Sequence, residues 1–114
     1  MVIIDAWMQH PSAEFLADPM FDPLRRWARG HLAGDGVPAE ATVAAMDAAG
    51  VRTGMLCAWW GPRGPLISND AVAAIIARYP GRFAGVAAVD LARPMDAVRE
   101  LRRCVHDLGF RALR

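Results

Sequence analysis

The sequence predicts an α/β fold: a partial (β/α)8 TIM barrel, a half-barrel fragment of about four parallel strands with connecting helices. Three observations lead there. Short apolar runs alternate with segments of helical periodicity over brief loops, which specifies parallel βαβ units with right-handed crossovers. The apolar run that opens the chain leads straight into polar residues, as strands do at the carboxyl edge of an α/β sheet. The chain then stops on its fourth apolar run, whereas a doubly wound domain should cover its last strand with a helix. A complete barrel takes about 250 residues. A small doubly wound binding domain, with one switch point in its strand order, stays open as an alternative.

The elements follow in order. Val2, Ile3 and Ile4 suit a strand buried on both faces, and Asp5, Trp7, Gln9 and His10 come directly after it. From Pro11 the chain reads as loop, until Asp22 and Pro23 mark the N-cap and first position of a short helix through Trp27, ended by Gly30, Gly34 and Gly36. A second helix runs from Pro38 to a C-terminal Gly50, and Thr53 to Ala58 reads as a strand emptying into a turn-rich loop over 59–65. Ser68 or Asn69 caps a helix whose Val72, Ile75, Ile76 and Tyr79 share one face, stopped by Pro80-Gly81. Phe83 to Val89 is a third strand with Asp90 at its end. Pro94 opens a helix with Met95, Val98, Leu101, Val105 and Leu108 on one stripe, Gly109 closes it, and Phe110 to Leu113 begins a fourth strand.

Composition bounds the function. The 114 residues read as one unit, 1–114, and the 54% hydrophobic and 22% charged fractions are those of a chain with a core. Net charge is +1, and the 13 basic residues, all Arg, are spread among 12 acids, which excludes a nucleic-acid footprint. No apolar run is long enough for a membrane span and no signal-peptide pattern opens the chain, so a cytoplasmic location is the default expectation. Cys57 and Cys104 form no metal motif and read as reduced, buried small hydrophobes.

The stretch from Asn69 through Tyr79-Pro80-Gly81-Arg82-Phe83 to Asp90 resembles the helix-then-strand block of the amidohydrolase-related family. These are the metal-dependent (β/α)8 hydrolases and decarboxylases that include aminocarboxymuconate-semialdehyde decarboxylase. Ala97 to Leu101 and Leu108 to Arg111 resemble its next helix and strand. Ile3-Ile4-Asp5 and Met46 to Val51 also have counterparts, so the resemblance spans nearly the whole chain. It implies a divalent metal, zinc in most members, held by a His-x-His pair two and four residues after the aspartate of the first strand. Those positions carry Trp7 and Gln9. An indole N–H has no lone pair to give, and an amide oxygen is a poor, neutral ligand for zinc. The family's remaining ligands come from later strands.

Each candidate has two readings. Asp5 and His10 are the available metal candidates; otherwise Asp5 accepts nearby backbone N–H groups and His10 is a loop histidine bonded locally. Strict alternation points His10 away from the face shared by Asp5, Trp7 and Gln9, unless a bulge turns it inward. Trp7, Gln9, His10 and Trp60 are the candidates for substrate contact, with Trp7, Trp59 and Trp60 as an aromatic wall or as packing under loops. Asp90 is a site residue or a loop cap, and His31 and His106 read as solvated. The expected function is the N-terminal part of a metal-dependent hydrolase or decarboxylase of a small carboxylated substrate, without activity or bound zinc on its own. The alternative is a non-catalytic half-barrel that self-associates, as a homodimer through exposed sheet edges, or binds a partner.

Overall fold

A computed structural model describes residues 1–28 and 35–114. Helix-ending Gly30 and Gly34, and His31, lie outside the described residues. The elements are β1 (Ile3–Met8), α1 (Ala13–Leu16), a 3-10 turn (Pro19–Phe21), α2 (Asp22–Trp27), α3 (Ala39–Ala48), β2 (Val51–Cys57), β3 (Trp59–Gly61), β4 (Gly64–Ile67), α4 (Asn69–Arg78), β5 (Phe83–Ala87), α5 (Pro94–His106) and β6 (Ala112–Leu113). Four strands form a parallel sheet in the order β1-β2-β5-β6. That order advances in one direction, as successive strands of a barrel do, and contains no switch point of the doubly wound kind.

The local chemistry behind the helices is direct. Ser68 Oγ accepts the Ala71 N–H to cap α4, and Gly50 and Gly109 take positive φ at the ends of α3 and α5, where a left-handed residue stops a helix. Asp22 and Pro23 stand one position later than expected: Phe21 is the N-cap of α2, and Asp22 ends a 3-10 turn that Asp18 caps through the Met20 N–H. The segment read as loop from Pro11 holds α1, capped by Ser12 on the Phe15 N–H. The turn-rich loop over 59–65 is mostly a second sheet. β3 and β4 form an antiparallel hairpin that turns between Gly61 and Gly64, a short strand pairing that Gly and Pro conceal in a periodicity reading.

The buried core is centred on Leu56, Cys57, Val72, Cys104 and Phe110. Two close approaches set the sheet's packing. An added Cβ at Gly85 on β5 would lie 2.4 Å from the Phe110 ring, and one at Gly54 on β2 would lie 2.0 Å from the Met8 sulfur. Phe110 therefore lies directly on the β5 backbone, and Met8 on that of β2. Phe110 belongs to the turn before β6 rather than to the strand itself, which starts at Ala112.

Two expectations about burial are corrected. Val2, Ile3 and Ile4 are exposed because β1 is an edge strand with no neighbour on its outer side. The α5 stripe divides: Ala97 and Cys104 are buried and Leu101 half-buried, while Met95, Val98 and Val105 face outward.

One polar side chain among the described residues is buried, Asn69 at the start of α4. Its Oδ1 accepts the Ala88 N–H (3.0 Å), and its Nδ2 donates to the Ala88 carbonyl (2.9 Å) and to Glu100 on α5 (2.8 Å). Arg103 donates to Glu100 and to Asp70, closing the network between α5 and α4. Arg103, with Asn69, holds the Glu100 carboxyl down to about 2, against the desolvation that opposes it.

Gly85→Ala is expected to lower stability by about 1–3 kcal/mol, because Phe110 cannot withdraw from a packed core without leaving its site. Urea unfolding measures this, and a Gly85→Ala/Phe110→Leu double variant should recover part of the loss. A single variant with a wild-type midpoint would show that the contact relaxes freely.

Candidate functional site

Parallel strands gather the residues that follow them at one edge of the sheet. Here those are Gln9 after β1, Trp59 after β2, Ala88 to Asp90 after β5, and Arg114 after β6. The Arg114 backbone N–H donates to the Ala87 carbonyl (2.8 Å), extending the β5–β6 pairing by one bond. Its guanidinium lies 3.9 Å from the Trp59 ring centroid and 4.6 Å from that of Trp7. With its carbonyl turned toward both donors, Gln9 accepts from Arg114 Nη1 (3.2 Å) and Trp7 Nε1 (3.0 Å).

Trp7 and Arg114 come from opposite edges of the sheet, with β2 and β5 between them. Three spacings of about 4.8 Å would separate those edges in a flat sheet. Their side chains meet because the sheet is curled with this face inside. Trp59 is held from behind by an aromatic cluster: Phe15 at 5.2 Å and Phe21 at 6.2 Å from its ring, and Phe15 and Phe21 4.9 Å apart edge to face.

The expected candidates part company around this group. Asp5 accepts the Trp7 N–H at 3.0 Å and lines a groove against α3 with Met8, Val37 and Thr42. The cause is a bulge: Asp5 pairs with Gly54 and Met8 with Leu56, so three steps on β1 match two on β2. Strict alternation fails at that point, and Asp5 does not join Trp7 and Gln9. His10 sits beyond the strand with Nδ1 2.9 Å from Thr42 Oγ1 on α3. Burial pushes its pKa below the usual 6.5, against a Val37 backbone bond and the Glu40 charge, which both raise it.

Trp60 lines a cleft of about 690 Å³ with Arg114, Gly61, Gly64, Asp90 and Leu91. Asp90 Oδ1 accepts the Ala92 N–H (3.0 Å), the geometry of a loop cap. Cys57 and Cys104 are free and buried, and burial raises both thiols, Cys104 to about 11 with the Glu100 charge adding to it. Neither is disposed to act as a thiolate nucleophile. His106 on α5 is exposed.

Among the described residues no group of three or more His, Cys, Asp or Glu side chains could hold a metal ion. The chemistry at the expected pair positions also runs against one. The Trp7 ring nitrogen donates its proton, and the Gln9 oxygen already accepts two N–H groups, one from a cation. A divalent ion placed there would face the Arg114 guanidinium.

Sequence reasoning missed Arg114 as a site residue. The signal was present: it follows the fourth strand at the same edge as Gln9. Of the two cap candidates, Ser68 is the cap and Asn69 is free for its long-range bonds to Ala88, which nothing in the sequence marks.

The profile of the family described as amidohydrolase matches residues 4–114. The chain belongs to the amidohydrolase family. Among curated relatives, a gamma-resorcylate decarboxylase of Rhizobium radiobacter is 51% identical over 43 residues, which are 38% of this chain and 13% of that protein. A crystal structure of dihydroxybenzoic acid decarboxylase from Polaromonas sp. JS666, with bound manganese and the inhibitor 2-nitroresorcinol, superposes with a TM-score of 0.71 at 28% identity. That match covers 98% of this chain and 37% of the other. An uncharacterized TIM-barrel protein from Bordetella bronchiseptica, 24% identical with a TM-score of 0.73, covers 99% of this chain and 43% of its own, and shares the fold. The chain thus spans well under half the length of these proteins, and its curled four-stranded sheet is a half-barrel. No described helix is long and apolar enough to cross a membrane.

An NMR titration of the His10 ring is expected to give a midpoint below 6.5. Because the unfolded chain then binds the proton more readily, the folded state loses stability as pH falls below 6.5. A midpoint at or above 6.5 would place His10 in a more solvated setting than the Thr42 contact implies.

Proposed function

We propose that residues 1–114 form a single unit, the N-terminal half of a barrel whose parent decarboxylates a small hydroxylated aromatic carboxylate, and that this chain alone is inactive. The observation that carries this reading is the convergence of Trp7, Gln9, Trp59 and Arg114 at the carboxyl mouth of the sheet, where barrel enzymes place their sites. Decarboxylation rather than hydrolysis is favoured by the names of the relatives. The inhibitor in the manganese-bound neighbour, 2-nitroresorcinol, is a planar ring with polar substituents of the kind two indoles and a guanidinium accommodate.

A bound divalent metal supplies Lewis-acid chemistry in such sites. The residues of this chain do not fit one: the Trp7 ring nitrogen is a donor, and the Gln9 oxygen faces the Arg114 guanidinium. What the chain contributes is positioning: Trp7 and Trp59 hold the Arg114 guanidinium by contact with their rings, Gln9 fixes it through one N–H, and Arg114 offers a positive charge with N–H groups to spare. His10 stays with α3, and Asp5, which lines the groove against α3, touches this arrangement through the Trp7 backbone N–H alone.

Metal analysis of the purified chain after dialysis is the test. We expect substoichiometric zinc and manganese; a tightly held divalent ion in each chain would overturn the claim that its donor set is insufficient.

The uncovered edges favour a second reading, self-association. Among the described residues β1 and β6 both lack an outer neighbour, and Ile4 (59%) and Leu113 (47%) are exposed along them. Two copies related by a two-fold along the barrel axis would set β6 of each beside β1 of the other. Light scattering should then give a dimer mass, and a monodisperse monomer at high concentration would eliminate this reading.

A further inference from the structure

The cation at the mouth has donors to spare. A guanidinium carries five N–H groups, and Gln9 accepts from one nitrogen of Arg114. Seven ion pairs occur among the described residues, and Arg114 takes part in none of them. Arg63, which lines the same cleft, is by contrast engaged by Asp18 at 3.1 Å. Cation–π contact with Trp59 and Trp7 restrains the Arg114 guanidinium at the mouth. Beside it is a cleft of about 690 Å³, within the range of small-ligand sites, bearing the indole of Trp60 and a third arginine, Arg93. Asp90 supplies the cleft's negative charge and is occupied by the Ala92 N–H.

We propose that Arg114 is the carboxylate-receiving group of this chain, seating a planar aromatic carboxylate in the cleft that it lines together with Trp60. The proposal deepens the reading of the same mouth and rests on it for the aromatic class of ligand. It does not depend on metal or turnover. Arginine suits this role because its fork matches both carboxylate oxygens at once. Pre-fixing by two indoles removes the rotamer entropy that binding would otherwise cost.

The test uses the full chain, dialysed against a chelator, with benzoate as the probe and neutral benzamide as its near-isosteric control. Trp60 lines the seat, and Trp7 and Trp59 touch the Arg114 guanidinium, so tryptophan emission reports occupancy. We expect saturable quenching by benzoate and none by benzamide at the same concentrations. Arg114→Leu should weaken benzoate by about tenfold or more, the loss of a charge-assisted pair, while Arg114→Lys retains part of the affinity. Gln9→Glu, which keeps the arginine but pairs its charge with an internal carboxylate at the Nη1 contact, should weaken benzoate binding about tenfold or more while far-UV circular dichroism stays as in the wild type. The proposal is overturned if benzamide binds as well as benzoate or if the wild-type chain binds neither. It is equally overturned if folded Arg114→Leu or Gln9→Glu binds benzoate with wild-type affinity. A stoichiometric metal in the purified chain would contradict the proposed function and leave this result intact, so the two failures are separable.

Discussion

Asn69 occupies the point on which the upper half of the structure depends. β5 ends its pairing at Ala87, yet Ala88 is still buried, and its N–H and C=O have no strand left to meet. The Asn69 amide supplies both bonds, acting as one residue of a missing strand. A buried backbone group left unpaired costs about 1–3 kcal/mol, so the pair together outweighs any single surface contact in the molecule. The remaining amide proton goes to Glu100, which ties α5 to the same spot. The outer ion pair of Arg103 and Asp70 adds little by itself, because both partners are substantially in water. Its effect is to orient Glu100 toward Asn69.

The curl of the sheet has a separate origin. Gly54 and Gly85 remove side chains from the two central strands where Met8 and Phe110 must cross them. With larger residues there, these side chains would stand off, and the layers over β2 and β5 would move apart. The bulge in β1 adds a further bend between Asp5 and Met8. The product is a concave sheet whose two edge strands face each other at the carboxyl end, close enough for Arg114 to reach Trp7.

That reach defines the chemistry of the mouth. Where relatives of this fold are expected to place a metal dication, this chain places a monocation held by two indoles and an amide. Both are positive, and both can meet a carboxylate. They differ in that a guanidinium recognises shape and charge but cannot polarise a bound water as a metal does.

The sequence by itself determined the class of fold and the order of its main elements. Helical stripes, caps such as Ser68 and terminators such as Gly50 and Gly109 act within a few residues of where they stand, so they are legible without a partner. That Trp7 and Gln9 stand where the resemblance implies a histidine pair was legible for the same reason, since neither can be an imidazole in any conformation. The hairpin of β3 and β4, the exposure of Ile3 and Ile4 and the outward side of α5 were not, because pairing and burial depend on what lies beside an element in space. The candidate site divides along the same line. Periodicity grouped Asp5 with Trp7 and Gln9, and a one-residue bulge undid it. Arg114, more than a hundred residues from Trp7 along the chain, became part of the site through the curvature of the sheet, which only the tertiary structure decides.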